Sequence, residues 1–314
     1  ITFWVSRMIV AGLAHMDDVP FRDILIHGLV RDSQGRKMSK SLGNGIDPLE
    51  VIEQNGCDAL RFALVTGNAP GNDQRFQEDK ILMGRNLSNK IWNAMRFVVM
   101  NTDDDFTPDL VDESIFTTED KWILTELHNL ITEATVNLDN YEFGVALSKI
   151  VDFLWDNFCD WYIEITKSRL YDKECKTRNN AIYLLNYVLS EAMKLLHPFM
   201  PFITEEIWQS LPHEGEALIV AKWPEVREDL SFKAECDQME SVMDAIRAIR
   251  NRRTEMNVPP SKKAALYVLT AKPQVFTEGE GFLLRLAYAD TVTMLEKEPE
   301  NLDGMVTITT ADAK

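Results

Sequence analysis

No run of eighteen apolar residues occurs anywhere in the sequence, so no segment reads as a membrane-spanning helix. Cysteine is scarce. Cys57, Cys159, Cys175 and Cys236 stand far apart, form no CxxC pair and join no Cys/His cluster. That spacing argues against a zinc site or a disulfide framework, and it predicts reduced thiols in a cytoplasmic protein. A secretory leader is missing too: Arg7 interrupts the apolar opening ITFWVSRMIVAGLAHM, and no small-residue cleavage site follows. The opening reads instead as a buried helix, in a chain that starts inside a domain. Positive charge is the remaining deficit. Lys and Arg number 33 against 50 Asp and Glu, a net charge of −17, which opposes association with any polyanion.

The charge is unevenly spread, however. Asp103, Asp104, Asp105, Asp109, Asp112, Glu113, Glu119 and Asp120 make one acidic run. Between Asp244 and Lys263, Arg247, Arg250, Arg252, Arg253, Lys262 and Lys263 face only Asp244 and Glu255. Local fields govern contacts with nucleic acid, so the net charge does not exclude RNA. A length of 314 residues with 45% hydrophobic content suits a soluble globular chain of two domains rather than one.

Residues 1–15 are expected to be helical. Phe21 to Val30 is partly β-branched and closed by a Gly-containing loop, which predicts a strand. Asp47, Pro48 and Glu50 mark a helix start, as N-cap, first-turn proline and capping-box partner. Asn55-Gly56 should end that helix and Asp58 should cap the next, to about Gly67.

From about residue 81 the pattern stays helical for over a hundred residues. Ile123, Leu127, Leu130, Ile131, Ala134 and Leu138 recur at three- and four-residue steps. So do Ile150, Leu154, Phe158, Trp161 and Ile165, and again Ile182, Leu185, Val188, Leu189, Ala192 and Leu196. Such helices joined by short polar breaks predict an antiparallel bundle. Leu211 to Leu230 reads as a linker, 233–257 as one more helix, and Ala264–Thr270, Thr291–Leu295 and Met305–Thr310 as strands.

One segment carries chemistry: Arg36-Lys37-Met38-Ser39-Lys40-Ser41, set between Gly35 and Gly43. Two lysines on a short Gly-flanked loop can converge on a polyanion, and lysine supplies point charge without rigid orientation. A solvated basic loop is the alternative reading.

The letters KMSKS within IHGLVRDSQGRKMSKSLGNGIDPLEVIE (26–53) resemble the second signature of class I aminoacyl-tRNA synthetases. Similarity to the valyl group runs on through TGNAPGNDQRF (66–76), RNLSNKIWNAMRF (85–97), FCDWYIE (158–164), HPFMPFITEEIW (197–208) and RNRRTEMNVPPSKK (250–263). Isoleucyl enzymes share the loop; FWVSRM and APGNDQRF favour valyl. The resemblance implies valine–tRNA ligase chemistry with valine, ATP with Mg²⁺, and tRNA-Val as substrates, in a monomer.

On this resemblance Lys37 and Lys40 would be catalytic, holding the β- and γ-phosphates. Met38 and Ser39 would complete an ATP site with His27 and Gly28, although His27 could equally be a structural histidine. Trp4 would wall the amino-acid pocket, or simply pack. Arg85, Asn86, Lys90, Asn93 and Arg96 would face tRNA from the bundle's first helix, unless they form a solvated polar face. Arg250, Arg252 and Arg253 would bind RNA phosphate, unless they pair with acids of their own helix.

No HIGH-like signature, the family's first ATP motif, occurs in the chain. The editing domain and coiled coil of valyl enzymes are also missing. The implied architecture is mainly α: the end of a Rossmann-type α/β nucleotide-binding domain with the loop (1–45), a connecting helical module (46–80), an anticodon-binding helical bundle (81–212), a linker (213–232) and a small α+β piece (233–314).

Overall fold

A computed structural model describes residues 3–103, 106–107, 111–298 and 304–314, with Glu228 described by its backbone alone. Asp104, Asp105 and Asp109 of the acidic run lie outside the described residues.

Helix α1 (Trp4–Met16) forms where a helix was expected, but none of its residues is buried. Phe3, Trp4, Val10 and Met16 are broadly exposed, because no other described element packs broadly along them. Apolar composition alone does not bury a helix; a facing surface does. The strand expected over Phe21–Val30 shrinks to β1 (Val30–Arg31). It pairs in parallel with the equally short β2 (Gln74–Arg75), where the Gln74 N–H bonds to the Leu29 carbonyl, and Arg31 also bridges Lys37; among the described residues no strand pairs with 21–28.

Between those strands lie α2 (Pro48–Asn55) and α3 (Cys57–Val65). The Asp47 carboxylate accepts the Leu49 N–H and Pro48 opens the first turn of α2, as the letters predicted. Asp58 does not cap its own helix. The chain enters α3 through Gly56 at φ +88°, and Asp58 sits inside the first turn with its carboxylate turned to another element.

That other element is α9. The long helices run α4 (Glu78–Asn101), α5 (Thr118–Asp139), α6 (Phe143–Asp152), α7 (Ile163–Tyr171), α8 (Arg178–Leu196) and α9 (Pro201–Gln209). The Asp58 oxygens accept the N–H groups of Phe202 (3.3 Å) and Ile203 (2.7 Å) at the start of α9. Arg61, one turn on, donates to the Phe199 and Pro198 carbonyls. Two charged residues of α3 thus clamp the turn that the Pro198 and Pro201 punctuation creates.

The apolar stripes read from sequence meet in one core. Ile123, Leu127, Ile131 and Ala134 of α5 and Ile182, Leu185, Val188, Leu189 and Leu196 of α8 are all buried there. Asp120 anchors the base of α5. It closes a capping box with Thr117, accepts both arms of Arg169 at 2.8 Å, and takes the Tyr162 hydroxyl at 2.8 Å. Glu119 and Asp120, counted in the acidic run, are therefore buried beside Arg169 and add nothing to a solvated acidic face.

Between α6 and α7 the rod continues without a break as a π-helix, Phe153–Tyr162; the Ile163 N–H bonds to the Phe158 carbonyl five residues back. The 211–230 stretch lacks long elements but is pinned. Leu218 N–H bonds to Glu205, Trp223 bonds to Thr135, and Leu218 and Leu230 are buried.

Helix α10 (Lys233–Glu255) packs on α5 and leads into β3 (Ala264–Leu269), α11 (Pro273–Glu278), α12 (Glu280–Leu286) and β4 (Ala289–Leu295). β3 and β4 pair in parallel, with Leu266 opposite Val292 and Leu269 opposite Leu295. Met305–Thr310 is not a strand. The tail instead meets β3 at its end, where Leu269 and Lys314 exchange backbone hydrogen bonds of 2.9 Å. The β-branched letters suit a ladder, but among the described residues the tail has no ladder partner before Ala313.

Candidate functional site

β1 delivers the chain to Asp32, the buried hub of the lysine loop. Its Oδ1 accepts the N–H groups of Gln34 (3.1 Å) and Arg36 (2.7 Å); its Oδ2 accepts Arg36 Nε (2.7 Å) and Asn44 Nδ2 (2.9 Å). These bonds, Asn44's first and then Arg36's, hold the Asp32 carboxyl well below the usual carboxylate range. Gly35 makes the turn possible at φ +83°, donating to the Asp32 carbonyl while the Arg75 guanidinium lies close to where a Cβ would stand.

Asn44 closes the far side. Its amide oxygen accepts the Ser39 N–H (3.0 Å), and its amide nitrogen also reaches the Lys37 carbonyl (3.3 Å). Ser39 then caps a 3₁₀ turn, Lys40–Leu42, accepting the Leu42 N–H, with Ser41 Oγ at 3.2 Å from its own. Arg36 is spent on Asp32. Lys37 and Lys40 are exposed, and among the described residues no carboxylate lies within 4.0 Å of either. The loop therefore offers two unpaired ammonium groups on a backbone ordered from beneath. Met38 and Ser39 are half-buried between them.

The other expected nucleotide contacts stand apart from that hub. His27 is exposed and its Nδ1 sits 2.8 Å from the Gly28 carbonyl. Gly28 has an intrachain reason to be glycine: a Cβ there would lie 1.8 Å from the Asn72 carbonyl oxygen. Next to it, Asp73 accepts the Leu29 N–H (2.7 Å) and Arg31 Nε (2.6 Å), tying β1 to the 66–77 segment. Trp4 is 70% exposed, with the Arg7 guanidinium 5.7 Å from its ring.

On α4, Ile81, Leu87, Ile91, Met95 and Val98 are buried, and the polar letters turn outward. Arg85, Asn86, Asn93 and Arg96 are exposed, and among the described residues neither arginine is in an ion pair. Lys90 is different. Half-buried, it pairs with Asp160 at 2.7 Å and lies 3.8 Å over the Trp155 ring, so the π-helix holds it. The same π-helix holds Cys159 half-buried, and that desolvation pushes its thiol up to about 12.

The basic cluster of α10 is largely engaged. Arg250 donates to the Leu286 carbonyl (2.7 Å) and lies over Trp161 and Tyr288; Arg253 donates to the Pro259 carbonyl (3.0 Å) and lies over Tyr288. Arg247 pairs with Asp244 and Arg252 with Glu255. Each of these pairs spans one turn at the surface, where such bonds are weak. Lys262 and Lys263 are exposed and, among the described residues, have no ion pair.

Two family models match the chain: tRNA synthetases class I (I, L, M and V) over residues 1–77, and the anticodon-binding domain of tRNA ligase over residues 120–268. The chain is 46% identical to the valine–tRNA ligase of Clostridium acetobutylicum over its full length. It is 52% identical to that of Carboxydothermus hydrogenoformans over 88% of its length, and 53% identical to that of Bacillus anthracis over 85%. The chain belongs to the class I aminoacyl-tRNA synthetases.

It spans 36%, 31% and 30% of those three relatives, matching their C-terminal part. The fold is shared more widely. A crystal structure of the ternary complex of Agrobacterium radiobacter K84 agnB2 LeuRS with tRNA and LeuAMS superposes with TM-score 0.55 at 23% identity, over 73% of this chain and 27% of that one.

In this synthetase chain the residues that sequence reading missed are those that hold the named ones in place. Asp32 and Asn44 lie within the segment compared, but nothing in a five-letter signature marks its support. Asp160, which holds Lys90, is a single polar letter whose partner lies 70 positions away, and no local spacing announces it.

Proposed function

We propose that this chain is the portion of a valine–tRNA ligase that supplies the second ATP-binding loop and the tRNA-binding bundle. The observation that carries the reading is the loop: two unpaired lysines at a KMSKS signature on an Asp32–Asn44 scaffold, in a chain similar over its whole length to valine–tRNA ligases. The division follows the sequence: 1–45 as the end of the nucleotide-binding domain, 46–80 as connecting module, 81–212 as bundle, 213–232 as linker and 233–314 as the α+β piece.

In the whole enzyme the valine carboxylate attacks the α-phosphate of ATP, and pyrophosphate leaves as valyl-adenylate forms. The acyl group then passes to the terminal adenosine of tRNA-Val, and AMP leaves. No covalent enzyme intermediate is needed, so the protein's task is positioning and stabilisation of phosphate charge. Lys37 and Lys40 carry that charge role, Lys40 foremost, with Met38, Ser39, His27 and Gly28 around the nucleotide. ATP enters as its Mg²⁺ complex. Among the described residues no group of three or more His, Cys, Asp or Glu converges as for a metal.

Trp4, exposed on α1, bounds the valine pocket in the whole enzyme, which acts as a cytoplasmic monomer. Arg85, Asn86, Asn93 and Arg96 form the face that reads the anticodon, where unstacked bases are recognised by amides and guanidinium planes. Lys90, held by Asp160 and Trp155, sets the edge of that face. Arg250, Arg252 and Arg253 belong to the phosphate-facing end of α10.

Measuring tRNA binding and valine-dependent ATP–pyrophosphate exchange on one sample of this chain tests the reading. Binding that prefers tRNA-Val over tRNA-Ile is expected, without exchange, because the first ATP motif is not in the sequence. Arg85→Ala should relax that preference at a cost of about 1–3 kcal/mol. Exchange by the pure chain, or binding blind to the anticodon, contradicts it.

A further inference from the structure

A cavity of about 590 Å³ opens between the end of α10, the β3–β4 pair and the tail. Its floor is apolar, with Ile249, Val268, Phe276 and Leu283 among the lining side chains. Its described charged lining is one-sided: Arg252, Arg253, Lys262, Lys263 and Lys314 against Glu298 alone. That is an inversion of the chain's overall balance of −17.

The cations divide by what they already touch. Lys314 pairs with Glu298 and Arg252 with Glu255. Arg253 is structural. It bonds to the Pro259 and Lys262 carbonyls and rests on Tyr288, while the Val258 N–H returns to the Arg253 carbonyl at 2.8 Å. Asn257 adopts φ +54° and the Lys262 N–H bonds to the Pro259 carbonyl at 3.0 Å, so residues 256–262 form a tight, bonded turn. That turn sets Lys262 and Lys263, exposed and without an ion pair among the described residues, at the mouth of the cavity.

We propose that this cavity takes one unstacked ribonucleotide of the bound tRNA, its base on the apolar floor and its phosphate on Lys262 and Lys263. The inference rests on the tRNA reading above and adds to the phosphate-facing end of α10 a cavity that accepts a base. Its volume lies in the range of pockets that enclose small organic groups, about 300–1,000 Å³. Lysine at the rim supplies phosphate charge without base-edge geometry, and single-stranded RNA offers splayed bases with their phosphates attached. An apolar peptide has no use for the cations, and a free anion has none for the floor. In this arrangement Arg253 is a positioning residue, and Lys262 and Lys263 are the contacts.

The test is affinity of the full chain for a tRNA-Val transcript across a salt series. Lys262→Ala with Lys263→Ala should weaken binding at least tenfold at low salt. It should also flatten the slope of log K against log salt by roughly 1.4–1.8, two contacts at 0.7–0.9 each. Ala265→Trp, placed at the exposed lip of the cavity, should weaken binding about tenfold with the slope unchanged. A transcript carrying 4-thiouridine should crosslink to Tyr267 or Tyr288, both in the cavity lining, which covers the case of a tryptophan variant that melts early. Wild-type binding with no change in either variant and no such crosslink overturns the pocket, gives the cavity to an apolar occupant and leaves the tRNA reading standing. A wild-type chain that binds no tRNA overturns both.

Discussion

Asp32 accepts four hydrogen bonds from three residues of its own loop, and the two lysines of the signature donate to no carboxylate among the described residues. The division of labour is physical. A buried carboxylate with every lone-pair direction used fixes a backbone, whereas an ammonium group kept free of partners keeps its charge available for a phosphate. His128 shows the opposite situation. It is buried on α5, and neither ring nitrogen makes a hydrogen bond of good geometry among the described residues, the Leu230 backbone being its nearest polar neighbour. Burial lowers its pKa below the ordinary 6.5, Arg227 adds to the fall, and the Leu230 backbone and Asp229 oppose it. The folded chain therefore binds fewer protons than the unfolded chain below pH 6.5, and stability is lost as pH falls from that value toward the lower folded pKa. Melting temperatures at pH 7.5 and 5.5 check this: His128→Phe should lose less between the two than wild type. Parallel losses would show that His128 does not carry the dependence.

At the scale of elements, the link between the first eighty residues and the bundle is a borrowed cap. Asp58 of α3 caps α9, so Asp58→Ala should cost about 0.5–2 kcal/mol, as for other N-cap losses. Asp58→Asn keeps an acceptor and should recover most of it; burial already raises the Asp58 pKa, so its charge is not the source of stability. Equal losses in Ala and Asn variants would assign the effect to something other than capping. This cap also shows where sequence reading stops. The helices α4, α5, α8 and α10 were legible because their apolar periods are long and the core answers them residue by residue. The Asp47–Pro48 start was legible because its partners are adjacent. Asp58 was read as a local cap because local rules know only local partners. The π-helix was invisible for another reason: Leu154, Phe158, Trp161 and Ile165 fit a period of 3.6 residues, and only the backbone bonds reveal the wider turn. Strands failed where no pairing strand lies among the described residues, at 21–28 and 305–310.

Across the whole molecule, one continuous core runs from Phe62 of α3 to Ala287 beyond α12, so the bundle and the α+β piece share their packing. Charge is unevenly used: Glu119 and Asp120 are buried with Arg169, Asp103 pairs with Arg178, and Lys37, Lys40, Arg85, Arg96, Lys262 and Lys263 are exposed with no ion pair among the described residues. The lysine loop decides between a synthetase and a simple RNA-binding module, and Lys40→Ala in the whole enzyme, assayed by valine-dependent ATP–pyrophosphate exchange, tests it most directly. The expected result is a kcat lowered by roughly 10²–10³, the scale for losing one preorganised donor to transition-state charge, with the KM for valine nearly unchanged. An unchanged kcat, or a large rise in valine KM with kcat intact, would contradict a phosphate-stabilising role for this loop.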